Sequence, residues 1–90
     1  MPADPDPSYG TRGWFARQAK DRHPATLHLL KFFAWAHLAE DLRAISQPCG
    51  ETAIDMVNLL ADGPELTAGL RDLLRAKDCF VRAAVDMRED

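Results

Sequence analysis

Apolar residues recur at helical spacing through the middle of the chain. One series, with steps of four and three residues, consists of Leu38, Leu42, Ile45, Cys49, Ala53, Met56 and Leu60. Such steps keep one face of a helix apolar. Pro48 lies inside the series, and an interior proline removes one backbone hydrogen bond. Because the apolar phase continues across Pro48, we expect one kinked helix rather than two helices that meet near Gln47.

Proline and glycine positions predict two further helices. Pro24 follows His23 at a position where proline costs no backbone bond, so we expect a mostly apolar helix over residues 24 to 36. Gly63 and Pro64 mark a boundary, after which a last helix begins with Glu65 near its positive end. Its expected apolar stripe is Leu66, Leu70, Leu73, Leu74, Ala76, Phe80, Val81, Ala84, Val85 and Met87. Residues 11 to 22 are expected to form one or two helical turns.

The fold class that these elements predict is all-α, because no alternating strand pattern and no internal repeat occurs in the sequence. We expect an antiparallel helical hairpin with an additional N-terminal aromatic helix. Residues 1–11, rich in proline and aspartate, are expected to be a flexible tail, and residues 12–90 the hairpin domain. A 90-residue chain buries only about 60% of its unfolded surface, so a homo-oligomer is expected to enlarge the core.

Charge is distributed unevenly along the chain. The formal net charge is −3, yet residues 11 to 31 are basic and residues 38 to 69 are acidic. In the basic run, Arg12, Arg17 and Lys20 could pair with phosphates while Trp14 stacks on a base. The alternative is a solvated segment whose aromatic residues cover the hydrophobic core. A nucleic-acid binder that works through this run is a further, weaker possibility, although no DNA partner is expected.

A second set of cations lies in the last helix. Arg71, Arg75 and Arg82 fall within about 40° of one another on a helical wheel, which could form a phosphate-binding ridge. Asp78 and Asp86 lie on the same side, so the alternative is a set of ordinary ion pairs between Asp78 and Arg75 or Arg82.

The sequence contains no residue pattern typical of a catalytic or metal site. His23, His28 and His37 lack metal-ligand spacing, and no nucleophile motif or glycine-rich phosphate loop occurs. Cys49 and Cys79 are interpreted as small buried thiols. We therefore expect no enzyme, no cofactor, no metal and no membrane span. Without a recognisable signal peptide, we expect a cytoplasmic protein.

Two stretches carry a family resemblance that covers roughly residues 23 to 85. The first comprises His23-Pro24 through Phe33, His37-Leu38, Leu42, Ile45-Ser46 and Pro48. The second comprises Asp62-Gly63-Pro64-Glu65-Leu66-Thr67, Leu70-Arg71, Leu73-Leu74, Ala76-Lys77-Asp78 and Val81-Arg82-Ala83-Ala84. They resemble small actinobacterial-phage proteins grouped with the helical hairpin domain of anti-CBASS and anti-Thoeris sponges. The chain departs from that pattern at Ala39, where relatives tend to have proline.

The resemblance implies a function in immune evasion. Such sponges bind cyclic oligonucleotide second messengers without cleaving them, in the host bacterial cytoplasm, and are commonly hexamers. By analogy Arg71, Lys77 and Arg82 are proposed phosphate ligands, whereas Tyr9 and Lys20 are candidates by their chemistry alone. The implied partners are a cyclic di- or trinucleotide and further copies of the chain. The alternative is a helical protein-protein interaction module that binds a host or phage protein through Phe32 and Trp35.

Overall fold

The computed structural model describes residues 6 to 88 and is all-helical over that range. It has four α-helices, with no strand among the described residues. The helices are α1 (Arg12–Gln18), α2 (Pro24–Leu30), α3 (Glu40–Leu59) and α4 (Pro64–Met87), and a short 3₁₀ helix, Lys31–Phe33, follows α2. The all-α fold class is thus confirmed. None of the described helices combines the length and apolar character that a bilayer-spanning segment requires.

The end of the predicted flexible tail is docked against the helices. Gly10 is buried with φ 83°, a left-handed conformation that glycine adopts without strain. Its carbonyl accepts hydrogen bonds from the backbone N–H groups of Trp35 and Ala36 at 2.9 and 3.2 Å. The Thr11 hydroxyl then caps α1 by accepting a bond from the N–H of Trp14 at 3.1 Å. Residues 1 to 5 of the predicted tail lie outside the described residues.

The helix expected over residues 24 to 36 is shorter than predicted. It begins at Pro24 as expected, with the His23 imidazole accepting a bond from the N–H of Ala25 at 3.0 Å. Regular helix ends at Leu30, and the chain becomes extended at Ala34. The reason is packing, because Phe33, Ala34 and Trp35 are all buried. Three consecutive residues cannot all face one side of an α-helix.

Pro48 lies within a single helix, α3, so the alternative of two helices is wrong.

The predicted apolar series is only partly right about which face of α3 is buried. The fully buried residues are Ser46, Gly50, Ala53, Ile54 and Val57, and the face is rotated by about one residue from the series. Ile45, Met56 and Leu60 consequently remain exposed.

The boundary predicted at residues 62 to 65 is confirmed, since α3 ends at Leu59 and α4 begins at Pro64. Along α4, however, only Leu66 and Leu70 are fully buried. The apolar stripe expected to continue to residue 87 leaves the core after the first half of the helix, where Phe80 and Met87 are exposed.

Arg22 and Asp62 fasten the link between α3 and α4. The Arg22 guanidinium donates hydrogen bonds to the carbonyls of Val57 and, at 2.7 Å, Leu60, so it caps the end of α3. It also lies 3.2 Å from the Asp62 carboxylate. That carboxylate accepts a 2.8 Å bond from the buried Thr26 hydroxyl.

Bonds from Arg22 and Thr26, together with the backbone N–H of His23, lower the pKa of Asp62 to about 2. The groove beside this carboxylate is lined by Thr26, Gly63 and Thr67, among others. The Asp62 carboxylate already accepts hydrogen bonds from His23 and Thr26, two residues that line this groove. The groove therefore does not suit an anionic ligand.

Both cysteines are more accessible than expected. Cys49 is half-buried and Cys79 is exposed, so the interpretation of both as buried thiols is wrong for Cys79. Burial raises the pKa of the Cys49 thiol, although the positive charge of Lys77 acts in the opposite direction. Cys79 is exposed because it lies on the side of α4 away from the buried Leu66 and Leu70, next to Arg82.

Candidate functional site

Three arginines form an exposed row along α4. Arg71, Arg75 and Arg82 are all exposed, on the side of the helix opposite Leu66 and Leu70. Their spacing of four and seven residues brings them to one side of a continuous helix. At 1.5 Å per residue, the row from Arg71 to Arg82 is about 16 Å long. We call these three residues the α4 arginine row.

Asp78, one of the acidic residues on the side of the row, is paired with a different cation. Asp78 lies 2.8 Å from the Lys77 amine, so the ion pairs expected between Asp78 and Arg75 or Arg82 are not formed. Arg82 instead donates to the Cys79 sulfur at 3.3 Å. The ion pairs among residues 6 to 88 involve other cations: Arg17, Arg22, Lys77 and Arg88. The guanidinium charges of the row are therefore available to an anion.

Lys77 does not belong to the row. Its side chain is only 12% exposed, and it lies toward α3, where its charge acts on Cys49. The family resemblance implies a phosphate contact for Lys77. The structure separates this amine from the three arginines and pairs it with Asp78, which leaves it little contact with solvent.

The aromatic candidates near the N-terminus pack against one another. The rings of Tyr9 and Trp14 meet edge to face with centroids 4.9 Å apart, and Tyr9 meets Trp35 in the same way at 5.0 Å. Phe15 completes the group, with its centroid 4.9 Å from that of Trp14. Trp14, Phe15 and Trp35 are buried. Their rings cover the core, in agreement with the alternative interpretation, and the face of Trp14 is not open to a base.

Tyr9 is the member of this aromatic group with the most solvent exposure. Its hydroxyl donates to a carboxylate oxygen of Glu51 on α3. Burial, and secondly the bond to Glu51, raise the pKa of Tyr9. Glu51 did not emerge from the sequence as a partner, because 42 residues separate it from Tyr9 and no local pattern joins them.

The basic candidates of α1 point in different directions. Arg17 donates to the Ser8 hydroxyl and lies 3.9 Å from Asp6. Lys20 is exposed beyond the end of α1. Arg12 lies at the rim of a groove of about 410 Å³ between α1 and α2, and Lys31 lies at the same groove. Lys31 contributed to the local charge in the sequence but was missed as a candidate; only its position after α2 brings it near Arg12.

The two candidate groups do not form one site within a subunit. Among residues 6 to 88, no hydrogen bond, ion pair or groove joins the α1 cations to the α4 arginine row. α1 packs on α2 and the 3₁₀ helix, whereas α4 packs on α3 and α2. The same described residues contain no cluster of three or more histidine, cysteine or acidic side chains placed to hold a metal.

Trp35 is unsuited to bind a protein partner, which is the role it would have in the alternative function of a protein-protein interaction module. It is 2% exposed and forms part of the core, whereas Phe32 is 41% exposed and packs edge to face on His28. A protein partner could therefore contact Phe32 but not Trp35.

Comparison with known proteins gave no match to a protein-family model, to a curated protein or to a solved structure. The resemblance to the phage sponges accordingly stays a prediction.

Proposed function

We propose that this protein is a homo-oligomeric sponge, which binds and sequesters cyclic oligonucleotide immune second messengers without cleaving them. The observation that carries the proposal is the α4 arginine row. Arg71, Arg75 and Arg82 are exposed on one side of a rigid helix, and the nearby Asp78 is paired with Lys77 instead. A row of exposed guanidinium groups favours a ligand with several phosphates.

The energetics of such contacts are adequate for tight binding. A hydrogen bond to a charged group contributes about 1.5 to 3 kcal/mol. Four contacts near the upper value amount to about 12 kcal/mol, which corresponds to nanomolar affinity. A cyclic di- or trinucleotide has phosphates related by approximate rotational symmetry, so a symmetric oligomer could present the same arginine to each of them.

The proposed subunit is an antiparallel hairpin of α3 and α4 with the aromatic segment packed on it. Two features support this arrangement. The link from Leu60 to Gly63 is short, and Arg88 near the end of α4 donates to both carboxylate oxygens of Asp41 at the start of α3, at 2.6 and 2.5 Å. In this proposal the subunits assemble as a hexamer, as the family resemblance implies, in the cytoplasm of the infected bacterium.

The proposed phosphate site comprises the α4 arginine row and not the N-terminal candidates of the same subunit. Trp14 is buried and Arg17 is engaged with Ser8 and Asp6. Tyr9, Arg12 and Lys20 lie with α1, which packs on α2. They would meet a ligand on α4 only across a subunit boundary.

Isothermal titration against a panel of cyclic di- and trinucleotides tests the proposal. We expect at least one ligand to bind tightly, to lose affinity as salt is raised, and to be recovered intact by mass spectrometry. Linear dinucleotides of the same bases serve as a control and should bind more weakly. If no cyclic nucleotide binds more tightly than about 100 μM, equivalent to roughly 5.5 kcal/mol, the proposal is wrong.

A further inference from the structure

The groove between α1 and α2 combines an apolar lining with two cations. Phe15, Leu27 and Leu30 supply most of the lining, and Phe15 and Leu30 belong to the buried core. Arg12 and Lys31 lie at the same groove. Its volume of about 410 Å³ is within the range of about 300 to 1,000 Å³ that is typical of small-ligand sites. We call it the α1–α2 groove.

The charges of Arg12 and Lys31 have no carboxylate partner among residues 6 to 88. The Lys31 amine lies 5.6 Å from the ring centroid of Phe32, a cation–π contact that leaves its hydrogen-bond donors unsatisfied. No acidic residue in the described part of the chain lines the groove, although the net charge of the chain is −3. An anion here would therefore meet two cations and no repelling carboxylate.

The size of the groove favours a small molecule over a protein partner. α1 and α2 have 7 residues each, so the paired helices are only about 10 Å long. A standard protein interface buries about 800 Å² on each partner, which is far more than so short a groove offers. Small-ligand sites combine an apolar lining with a few polar groups that fix the orientation of the ligand, and the α1–α2 groove has this combination.

We infer that the α1–α2 groove binds a small amphipathic anion. The apolar body of the ligand lies on Phe15, Leu27 and Leu30. Its carboxylate or phosphate pairs with Arg12 and Lys31, since a guanidinium binds either headgroup through two parallel hydrogen bonds and an ammonium adds a point charge. None of the three arginines of the α4 arginine row lines this groove. The site is therefore separate from the proposed nucleotide site.

Octanoate and octyl phosphate are the probes, because they join the same alkyl chain to the two headgroups. A nuclear magnetic resonance titration of the full chain measures affinity and, through the amide shifts, the location of the ligand. We expect at least one probe to bind with a dissociation constant of about 1 mM or lower and to shift amides of α1, α2 and the 3₁₀ helix. The tighter probe identifies the headgroup. Octanol should bind about tenfold more weakly, because both ion pairs are lost, and hexanoate more weakly than octanoate, because less apolar surface is buried.

Ala16→Glu is the most direct variant, because Ala16 is exposed on α1 and lines the groove. A carboxylate there repels the headgroup and should weaken binding about tenfold or more. Arg12→Gln and Lys31→Gln should each weaken it about threefold to fivefold. Lys20→Gln is the matched control, since it removes the same charge from an exposed residue outside the groove, and should leave affinity unchanged. Circular dichroism should report unchanged helix content for every variant.

Binding of both probes more weakly than about 1 mM would overturn the inference. So would equal affinity for octanol, amide shifts confined to other parts of the chain, or an equal loss of affinity in Lys20→Gln. If an acidic peptide binds the groove and neither octyl anion does, the groove belongs to a protein partner and the inference is wrong. The titration with cyclic nucleotides is a separate measurement, so failure of the sponge function would leave this site in place.

Discussion

The indole ring of Trp35 lies over Gly50 so closely that a Cβ atom at position 50 would be 2.6 Å from the ring atom Cζ3. The Phe33 carbonyl oxygen would be 2.9 Å from the same Cβ. This contact joins the extended segment after α2 to the middle of α3. It explains why a glycine is buried within a long helix.

Gly50→Ala should therefore destabilise the protein. Overpacking against a buried indole lowers the free energy of unfolding by about 1 to 3 kcal/mol, and the better helix propensity of alanine restores only about 1 kcal/mol of it. Urea unfolding followed by circular dichroism measures the difference. Gly69→Ala is the control, because position 69 in α4 faces open space; it should stabilise by about 0.5 to 1 kcal/mol. Equal effects of the two substitutions would contradict this packing argument.

Ser46→Ala should stabilise the protein. The Ser46 hydroxyl is buried in α3 and has no hydrogen-bond partner among the described residues, and an unsatisfied buried hydroxyl costs about 1 to 3 kcal/mol. Alanine removes that cost and also favours helix. We expect the free energy of unfolding to rise by about 1 kcal/mol in the same assay. A loss of stability would indicate that the hydroxyl has a partner in solution, such as an internal water.

Acid should weaken the link between α3 and α4 through Asp62. Its pKa is lowered from the ordinary 3.8 to about 2 by Arg22 and Thr26, so its stabilising contribution is complete above about pH 4 and disappears as the pH falls through 2. Asp62→Asn should lower stability at neutral pH and flatten the pH dependence between these limits. Thermal unfolding at closely spaced pH values provides the measurement. Asp72→Asn is the control, because it removes an exposed carboxylate of α4; we expect it to leave the pH dependence of stability unchanged. The role of Asp62 would be disproved if the unaltered protein and both variants showed the same pH dependence.

Arg75→Gln should weaken binding of the cyclic nucleotide that the titration panel identifies. Loss of one charged hydrogen bond to phosphate corresponds to an affinity about 10- to 100-fold lower. Arg43→Gln removes the same charge from α3 and is expected to change affinity little. Arg12→Gln tests the N-terminal group in the same experiment, and we expect a small effect there too. If Arg12→Gln abolishes binding while Arg75→Gln does not, the site lies on α1 instead.

Local signals predicted the helix starts well. Pro24 and Pro64 each begin a helix because proline presets the backbone for a first turn, and that preference needs no tertiary contact. Asp62 and Gly63 interrupt the chain for equally local reasons. These positions would be recognised in the sequence whatever the rest of the fold were.

The buried face of α3 could not be read from hydrophobicity. The helix buries Ser46 and Gly50 and exposes Ile45, since Trp35 occupies the space above Gly50. The pattern of apolar residues predicts instead that Ile45 is buried and Ser46 exposed. Ser46 and Gly50 are buried because the large side chain of Trp35, from another segment of the chain, packs on this face.

Long-range polar contacts were equally invisible in the sequence. Arg22 reaches Asp62 across 40 residues, and Tyr9 reaches Glu51 across 42. Of the candidate site, the spacing of Arg71, Arg75 and Arg82 was predictable from helix geometry alone. The burial of Lys77 and Trp14 depended on packing that only the folded chain reveals.

The aromatic cluster also determines what optical spectroscopy can detect in this protein. The chain has two tryptophans and one tyrosine, and Tyr9, Trp14 and Trp35 all lie within it. Tryptophan and tyrosine fluorescence therefore reports on the N-terminal segments and on the part of α3 near Gly50 and Glu51. The second half of α4 has no tryptophan or tyrosine, so a label at the exposed thiol of Cys79 would extend fluorescence measurements to that region.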